Sequence, residues 1–241
     1  MTDTLAQHRM KYAIIAAGEG SRLAQEGIEY PKPLVPLFGT PLIERLIGIF
    51  ARHNAHSINI VINEKQPQTL ALLEKLAQHY PLNIVVKNTQ SSMHSMHALA
   101  PYLRGGKFCL TTVDTIFREE QFAAYIEAFE KSSNDGLMAV TEFIDDEKPL
   151  YVSADADMRI TGFHDTAPDD ARYISGGIYA LNDASLDTLE RCIVSGQSRM
   201  RNFQRSLISD GLVLEAYPLG KIIDIDHAAD IRNAEEFLGS K

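Results

Sequence analysis

The chain has 241 residues, 45% of them hydrophobic and 23% charged, enough to bury a full core in one domain. Its formal net charge of −9 opposes nonspecific attraction to DNA or RNA, so any phosphate site must be positive only locally. The only cysteines, Cys109 and Cys192, sit in apolar surroundings, which excludes a disulfide framework and fits a reducing compartment.

Residues 1–9 are polar, lack the apolar stretch of a signal peptide and read as a flexible tail. Strands are predicted at Tyr12–Ala17, Ile58–Asn63, Leu82–Lys87, Lys107–Val113 and Leu137–Glu142. Between them, helical spacing predicts Pro41–His53, Gln66–His79, Ser92–Leu103 and Glu119–Lys131. Thr40 is expected to cap the first of these, with Pro41 in its first turn. This alternation points to βαβ units and a mostly parallel sheet. After residue 143 the rhythm changes: short strands at Leu150–Ala154 and Met158–Phe163 predict a β-hairpin flap. A strand at Tyr173–Leu181 follows, then helices at Asp183–Ser195 and Arg199–Asp210. Strands at Val213–Pro218 and Lys221–Ile225 and a helix at His227–Leu238 close the chain. No run approaches membrane-spanning length, and the expectation is one three-layer α/β domain over residues 1–241 in the cytoplasm.

The most informative segment is Ala13–Leu23, an apolar strand that runs into Gly18-Glu19-Gly20-Ser21-Arg22 and is followed by Pro31-Lys32-Pro33-Leu34. Glycines let backbone N–H groups approach phosphate oxygens, and two cations follow. No Gly-Lys-Ser/Thr follows Gly18, which excludes the lysine-bearing NTPase loop. Leu23 stands where a dinucleotide fingerprint needs its third Gly or Ala. Pro31 and Pro33 are expected to hold Lys32 extended and keep the segment from coiling, the alternative being a solvated turn lysine. Asp114 ends a strand and suits either Mg²⁺ or an Asx turn. Asp224 and Asp226, two apart, can face one way while Ile225 packs inward, although Asp226 alone also suits a cap on the last helix. Ser91–Ala98 enters a helix whose N-terminus can meet polar ligand atoms. His94 and His97, three apart there, are not assigned zinc. Gly176-Gly177 reads equally as a strand bulge.

Together, Gly18-Glu19-Gly20-Ser21-Arg22-Leu23 and Pro31-Lys32-Pro33-Leu34 resemble the G-x-G-x-R-L and P-K-P-L signatures of the nucleotidyltransferase superfamily. Within it the chain is similar to sugar-1-phosphate nucleotidylyltransferases (NDP-sugar pyrophosphorylases) and to phosphocholine cytidylyltransferases. The resemblance implies a Rossmann-like nucleotide-diphospho-sugar transferase fold. It implies catalytic roles for Arg22 and Lys32 and nucleotide contacts from Ala17, Gly18, Glu19, Gly20, Ser21, Ser92 and Ser95. It also implies acceptor contacts from Gly176 and Gly177, and Mg²⁺ (Mn²⁺ substituting) on Asp114, Asp226 and Asp224. Its substrates would be an NTP and a phosphorylated small acceptor, foremost a sugar-1-phosphate, with no nucleic acid or membrane partner and with self-association open. His227-Ala228 replaces the Thr-Pro of similar pyrophosphorylases, and the Ser91–Ser95 pattern lies closer to the phosphocholine branch, leaving the base and the acceptor open. Glu26, Glu29 and Tyr30 are expected on the acceptor side. A glycosyltransferase would not require Gly18–Arg22 with Lys32, and a non-catalytic nucleotide-binding regulator would not require the full set of charges.

Overall fold

The computed structural model describes residues 10–143, 148–169 and 171–240. The expected tail at 1–9 and the acids Asp145, Asp146 and Glu147 at the entry to the flap lie outside them.

Strand β1 (Lys11–Ala16) is almost wholly buried and leads into the short helix α1 (Ser21–Gln25). Lys32–Leu34 then forms one 3-10 turn, a correction to the extended reading. The turn closes through Leu34 N–H to Pro31 O at 2.7 Å and Val35 N–H to Lys32 O at 3.2 Å. Neither bond needs an N–H from residue 33, so Pro33 fits the first turn without loss. Strands β2 (Pro36–Leu37) and β3 (Thr40–Pro41) form a hairpin whose central residues, Phe38 and Gly39, both have positive φ, as a type I′ turn requires. Thr40 is thereby drawn into a strand, and Pro41, not Thr40, occupies the cap position of α2 (Leu42–Arg52).

The alternation continues with β4 (Ser57–Ile62), α3 (Pro67–Leu76), β5 (Leu82–Val86), α4 (Ser92–Leu103) and β6 (Phe108–Thr112). Then come β7 (Thr115–Ile116), α5 (Glu119–Lys131) and β8 (Gly136–Thr141). The second half holds β9 (Tyr151–Ala154), β10 (Ile160–His164), β11 (Tyr173–Leu181), α6 (Ala184–Val194) and α7 (Met200–Ser209). It ends with β12 (Leu214–Pro218), β13 (Ile223–Asp224) and α8 (Ala228–Gly239). The nine-stranded sheet runs β10-β9-β11-β6-β1-β4-β5, with β8 also on β11 and β12 on β8. β5, β4, β1 and β6 pair in parallel; β11 opposes β6, and β8, β9 and β12 again run with β6. The sheet is therefore mixed and mostly parallel. The flap is an antiparallel hairpin hydrogen-bonded to β11, so it extends the sheet edge.

Alternating residues of β1 explain the three layers. Tyr12, Ile14 and Ala16 pack in one cluster with Leu46, Phe50, Phe122, Tyr125 and Ala234, from α2, α5 and α8. Ala13 and Ile15 pack in the other, with Met93, Met96 and Leu99 of α4, Leu189 of α6 and Phe203 of α7. Cys109 and Cys192 are free thiols buried in these layers. Among the described residues no helix is long and apolar enough to cross a membrane.

One polar group in this core carries a measurable load. Tyr125 is fully buried; its hydroxyl donates to Leu137 O on β8 and accepts from Ala180 N–H on β11 at 2.8 Å. Tyr125→Phe takes a donor from Leu137 O and an acceptor from Ala180 N–H in a dry interior, so a loss of ~2 kcal/mol in unfolding free energy is expected. An unchanged denaturation midpoint would contradict it.

Candidate active site

The parallel strands β1 and β6 end side by side, and the chain leaves both at the same edge of the sheet, where α/β folds place their ligand crevices. There Ala17–Ser21 borders a cleft of about 710 Å³ also lined by Arg22, Lys32, Ser92, Ser95, Asp114 and Asp226. Ser91 caps α4, and Ser95 meets Thr89 Oγ1 at 2.6 Å, so the start of that helix forms the opposite wall. Among the described residues the N–H groups of Gly18, Glu19 and Gly20 donate to no protein acceptor. Unpaired donors on a glycine loop are what a polyphosphate needs.

Gly20 is required twice over. Its φ is +62°, and a Cβ there would stand 3.1 Å from Lys32 Cβ, so a side chain would be strained in the backbone and would press the loop a few tenths of an ångström away from the 3-10 turn. The turn aims Lys32 at two acids: its Nζ pairs with Asp114 Oδ2 and, at 2.8 Å, with Asp226 Oδ1. Arg22 NH1 takes the other oxygen, Asp226 Oδ2, at 2.9 Å. Four residues far apart in sequence thus meet in one charge chain. Lys32 and Asp114 keep only 12% and 17% of their side-chain surface. Burial by itself would lower the Lys32 pKa, but Asp114 and Asp226 outweigh it and hold the lysine above its ordinary value. Burial likewise opposes ionisation of Asp226, yet Lys32 and Arg22 hold that carboxyl below the usual range.

The two acids arrive together because β13 pairs antiparallel with β7, setting Asp224 opposite Thr115, and Ile225 N–H continues the ladder to Asp114 O at 3.1 Å. Ile225 is fully buried, while Asp224 and Asp226 both line a second, adjoining pocket of about 300 Å³. Asp226 does not cap α8. His227 occupies that position, and Asp230 Oδ2 accepts from the N–H groups of both Asp226 and His227, at 3.0 and 2.7 Å. Asp224 is exposed as a residue and lines the second pocket; desolvation of its carboxyl group, with the nearby Asp114 carboxylate, pushes its pKa up to about 7. Among the described residues it enters no ion pair. The second pocket is also lined by Thr141, Phe143, Ser175 and Gly176. A Cβ on Gly176 would run into Ile222 Cδ1 and the Ala139 carbonyl. Gly177, at φ +74°, lies against Thr115 instead, in the bulge where the β11 register slips against β8.

Glu26 is placed differently from expectation. Its carboxylate accepts from Ala228 N–H at 2.7 Å and lies 2.6 Å from His227 Nδ1, so it fastens α1 to the start of α8 and does not line the second pocket. The pairing holds the His227 pKa above its ordinary value and the Glu26 pKa below. Tyr30 is 58% exposed and also outside that pocket. His94 meets Ser91 Oγ at 2.9 Å and His97 meets Glu190 at 2.7 Å, two separate contacts.

A glycine loop with unpaired donors, two cations beside it and a facing pair of acids, all at the edge of a Rossmann-like sheet, define a nucleotidyltransferase domain. The chain belongs to the MobA-like NTP transferase domain family, which it matches over residues 12–206. It is 30% identical over 111 residues to a 2-aminoethylphosphonate cytidylyltransferase of Lancefieldella rimae, covering 44% of each chain. To the bifunctional protein GlmU of Methanococcus maripaludis it is 22% identical over 240 residues, 96% of this chain and 55% of that one. It thus spans about half the length of the curated relatives it matches. The inositol-1-phosphate CTP transferase of T. maritima superposes with a TM-score of 0.80 at 19% identity, covering 97% of this chain and 96% of the other.

Proposed function

We propose that the protein transfers a nucleotidyl group from an NTP to a phosphorylated small acceptor, foremost a sugar-1-phosphate, releasing pyrophosphate. One observation carries the reading: a single lysine, braced by the phosphate loop, sits between two acids at the mouth of a cleft lined by unpaired N–H groups. An acceptor phosphate oxygen attacks the α-phosphorus in line, the bond to the β-phosphate bridge oxygen breaks, and pyrophosphate departs with that electron pair. No proton need move, so positioning and charge neutralisation dominate. The Gly18–Ser21 amides and Arg22 hold the departing pyrophosphate. Lys32 offsets the charge of the α-phosphate and of the acceptor.

Lys32 Nζ already occupies a cation position between Asp114 and Asp226. Among the described residues no group of three His, Cys, Asp or Glu forms a complete metal cage. A pair of carboxylates completed by phosphates and water is the arrangement Mg²⁺ favours, so the donor set fits the ion once bound phosphates draw Lys32 and Arg22 off the two acids. Asp114 and Asp226 would hold it, with Asp224 adjoining; bound Mg²⁺ or Mn²⁺ would neutralise phosphate charge and polarise the P–O bonds.

Asp224 gives this a pH signature. Below about 7 its carboxyl is protonated, above it ionised, and a ligand must be ionised to bind. Magnesium affinity in the presence of NTP is expected to tighten about tenfold from pH 6 to pH 8, and the slope should flatten in Asp224→Asn. Equal slopes in both proteins, measured by calorimetry, would remove Asp224 from the metal site.

The lining of the second pocket by Thr141, Ser175 and Asp230 suits acceptor hydroxyls. A specific observation favours a second reading: Asp224 enters no ion pair among the described residues and shares that pocket with the exposed ring of Phe143, a combination that suits the ammonium of an acceptor such as phosphocholine, while Arg22 and Lys148 on the same lining suit its phosphate. CTP is the first donor to test, since it appears in the names of similar proteins. Pyrophosphate release is to be followed with each NTP beside sugar-1-phosphates, inositol-1-phosphate, phosphocholine and 2-aminoethylphosphonate. Turnover only with the ammonium acceptors would reverse the order, and turnover with none would leave a nucleotide-binding regulator.

A further inference from the structure

The phosphate loop is held by one turn, whose Asn63 and Lys65 also border the cleft, that the reading above leaves without a role. Asn63 Nδ2 donates to Ala17 O at 3.3 Å, and Gln66 Nε2 donates to Gly18 O at 3.1 Å. Lys65 Nζ adds an exposed pair with Glu19 at 2.8 Å, a contact of small worth in water. The turn is itself pinned: Gln66 N–H bonds Asn63 O at 3.1 Å and Lys65 N–H bonds Asn63 Oδ1 at 2.8 Å. Glu64 ties it to Asn88 on the far wall of the cleft through bonds of 3.2 and 2.9 Å.

A trans peptide points its C=O and the next residue's N–H in opposite directions. Fixing the carbonyl of Ala17 therefore turns the Gly18 N–H away from Asn63, and fixing the carbonyl of Gly18 turns the Glu19 N–H away from Gln66. Gln66 is nine-tenths buried, and its Oε1 has no partner among the described residues. An orphaned buried acceptor costs stability, so this amide is a poor choice for holding the fold alone. We infer that Asn63 and Gln66 are positioning residues for the NTP: they keep the carbonyls of Ala17 and Gly18 out of the cleft, so that the loop presents N–H groups and no oxygen to the phosphates. The inference rests on the nucleotidyl-transfer reading and assigns the turn after β4 to it.

Gln66→Met keeps the side chain's length and removes both the donor and the orphan. Freed, the Gly18 carbonyl can swing toward the cleft and repel a phosphate oxygen. Calorimetry on the full chain with CTP and Mg²⁺, and with pyrophosphate, should show affinity falling about 10- to 100-fold, the scale of a small misplacement of a binding group. The KM for NTP should rise in step, while the KM for the acceptor and the thermal midpoint hold, a split that loss of fold would not produce. Gln66→Glu, of the same shape but without a donor above neutral pH, should show the same loss and decides the matter if the Met variant does not fold. Wild-type affinity for CTP and pyrophosphate in both variants would overturn the positioning role alone. A wild-type protein that binds no NTP would overturn the transfer reading and this inference together.

Discussion

Lys32→Ala should lower kcat/KM by about 10²-fold or more, the scale at which loss of one preorganised charge-stabilising donor is felt. Pro31, Pro33 and the bare Gly20 allow the lysine little freedom, so its ammonium is in place before substrates meet. Because its two acid partners hold its pKa above the ordinary value, it stays charged across the pH range of any assay. Removing it leaves Asp114 facing Asp226 with only Arg22 to offset them, and takes away the ammonium proposed to lie between the two approaching phosphates. Lys32→Arg should recover only part of the loss, since a planar fork cannot reproduce a point charge between two acids. Steady-state kinetics that find Lys32→Ala close to wild type would sink the assignment.

Chelation should abolish turnover, and Asp114→Asn should reduce it by ~10³-fold, equivalent to about 4 kcal/mol of transition-state stabilisation. Asp114 is enclosed and anchored through its own carbonyl by Ile225 N–H, so an asparagine would keep the backbone and lose only the charge. Added Mg²⁺ or Mn²⁺ should restore the chelated wild type but not the variant at the same concentration. Full activity of Asp114→Asn, or turnover undisturbed by EDTA, would show the acids serving only to seat Lys32.

Long, strongly periodic segments were legible in the sequence. Ser92–Leu103, Glu119–Lys131 and Tyr173–Leu181 stand in the structure with the ends their spacing predicts. That the glycine loop and its cations would meet was legible because they lie within twenty residues of one another and a strand leads straight into them. Two-residue ladders were not. β7 with β13, and the hairpin around Phe38-Gly39, are too short to show a period, and Phe38 is an unusual residue for positive φ. The 3-10 turn at Lys32 escaped because the usual restriction before proline favours extended backbone. Contacts such as Glu26 with Ala228, or Gln66 with Gly18, join residues that no spacing rule connects, and their side-chain types are ordinary surface choices until the fold brings them together.

The antiparallel pairing of β13 with β7 also has a consequence for biosynthesis. The glycine loop, the 3-10 turn and Asp114 all precede Asp226 in the chain, so they are translated before the acid that β13 brings to them. Until β13 pairs with β7, Arg22 and Lys32 lack Asp226, the acid they share, and the cleft edge carries more positive charge than it does in the folded chain. In the nucleotidyl-transfer reading, the pairing of β13 with β7 is the folding step that gives the cleft its second acid.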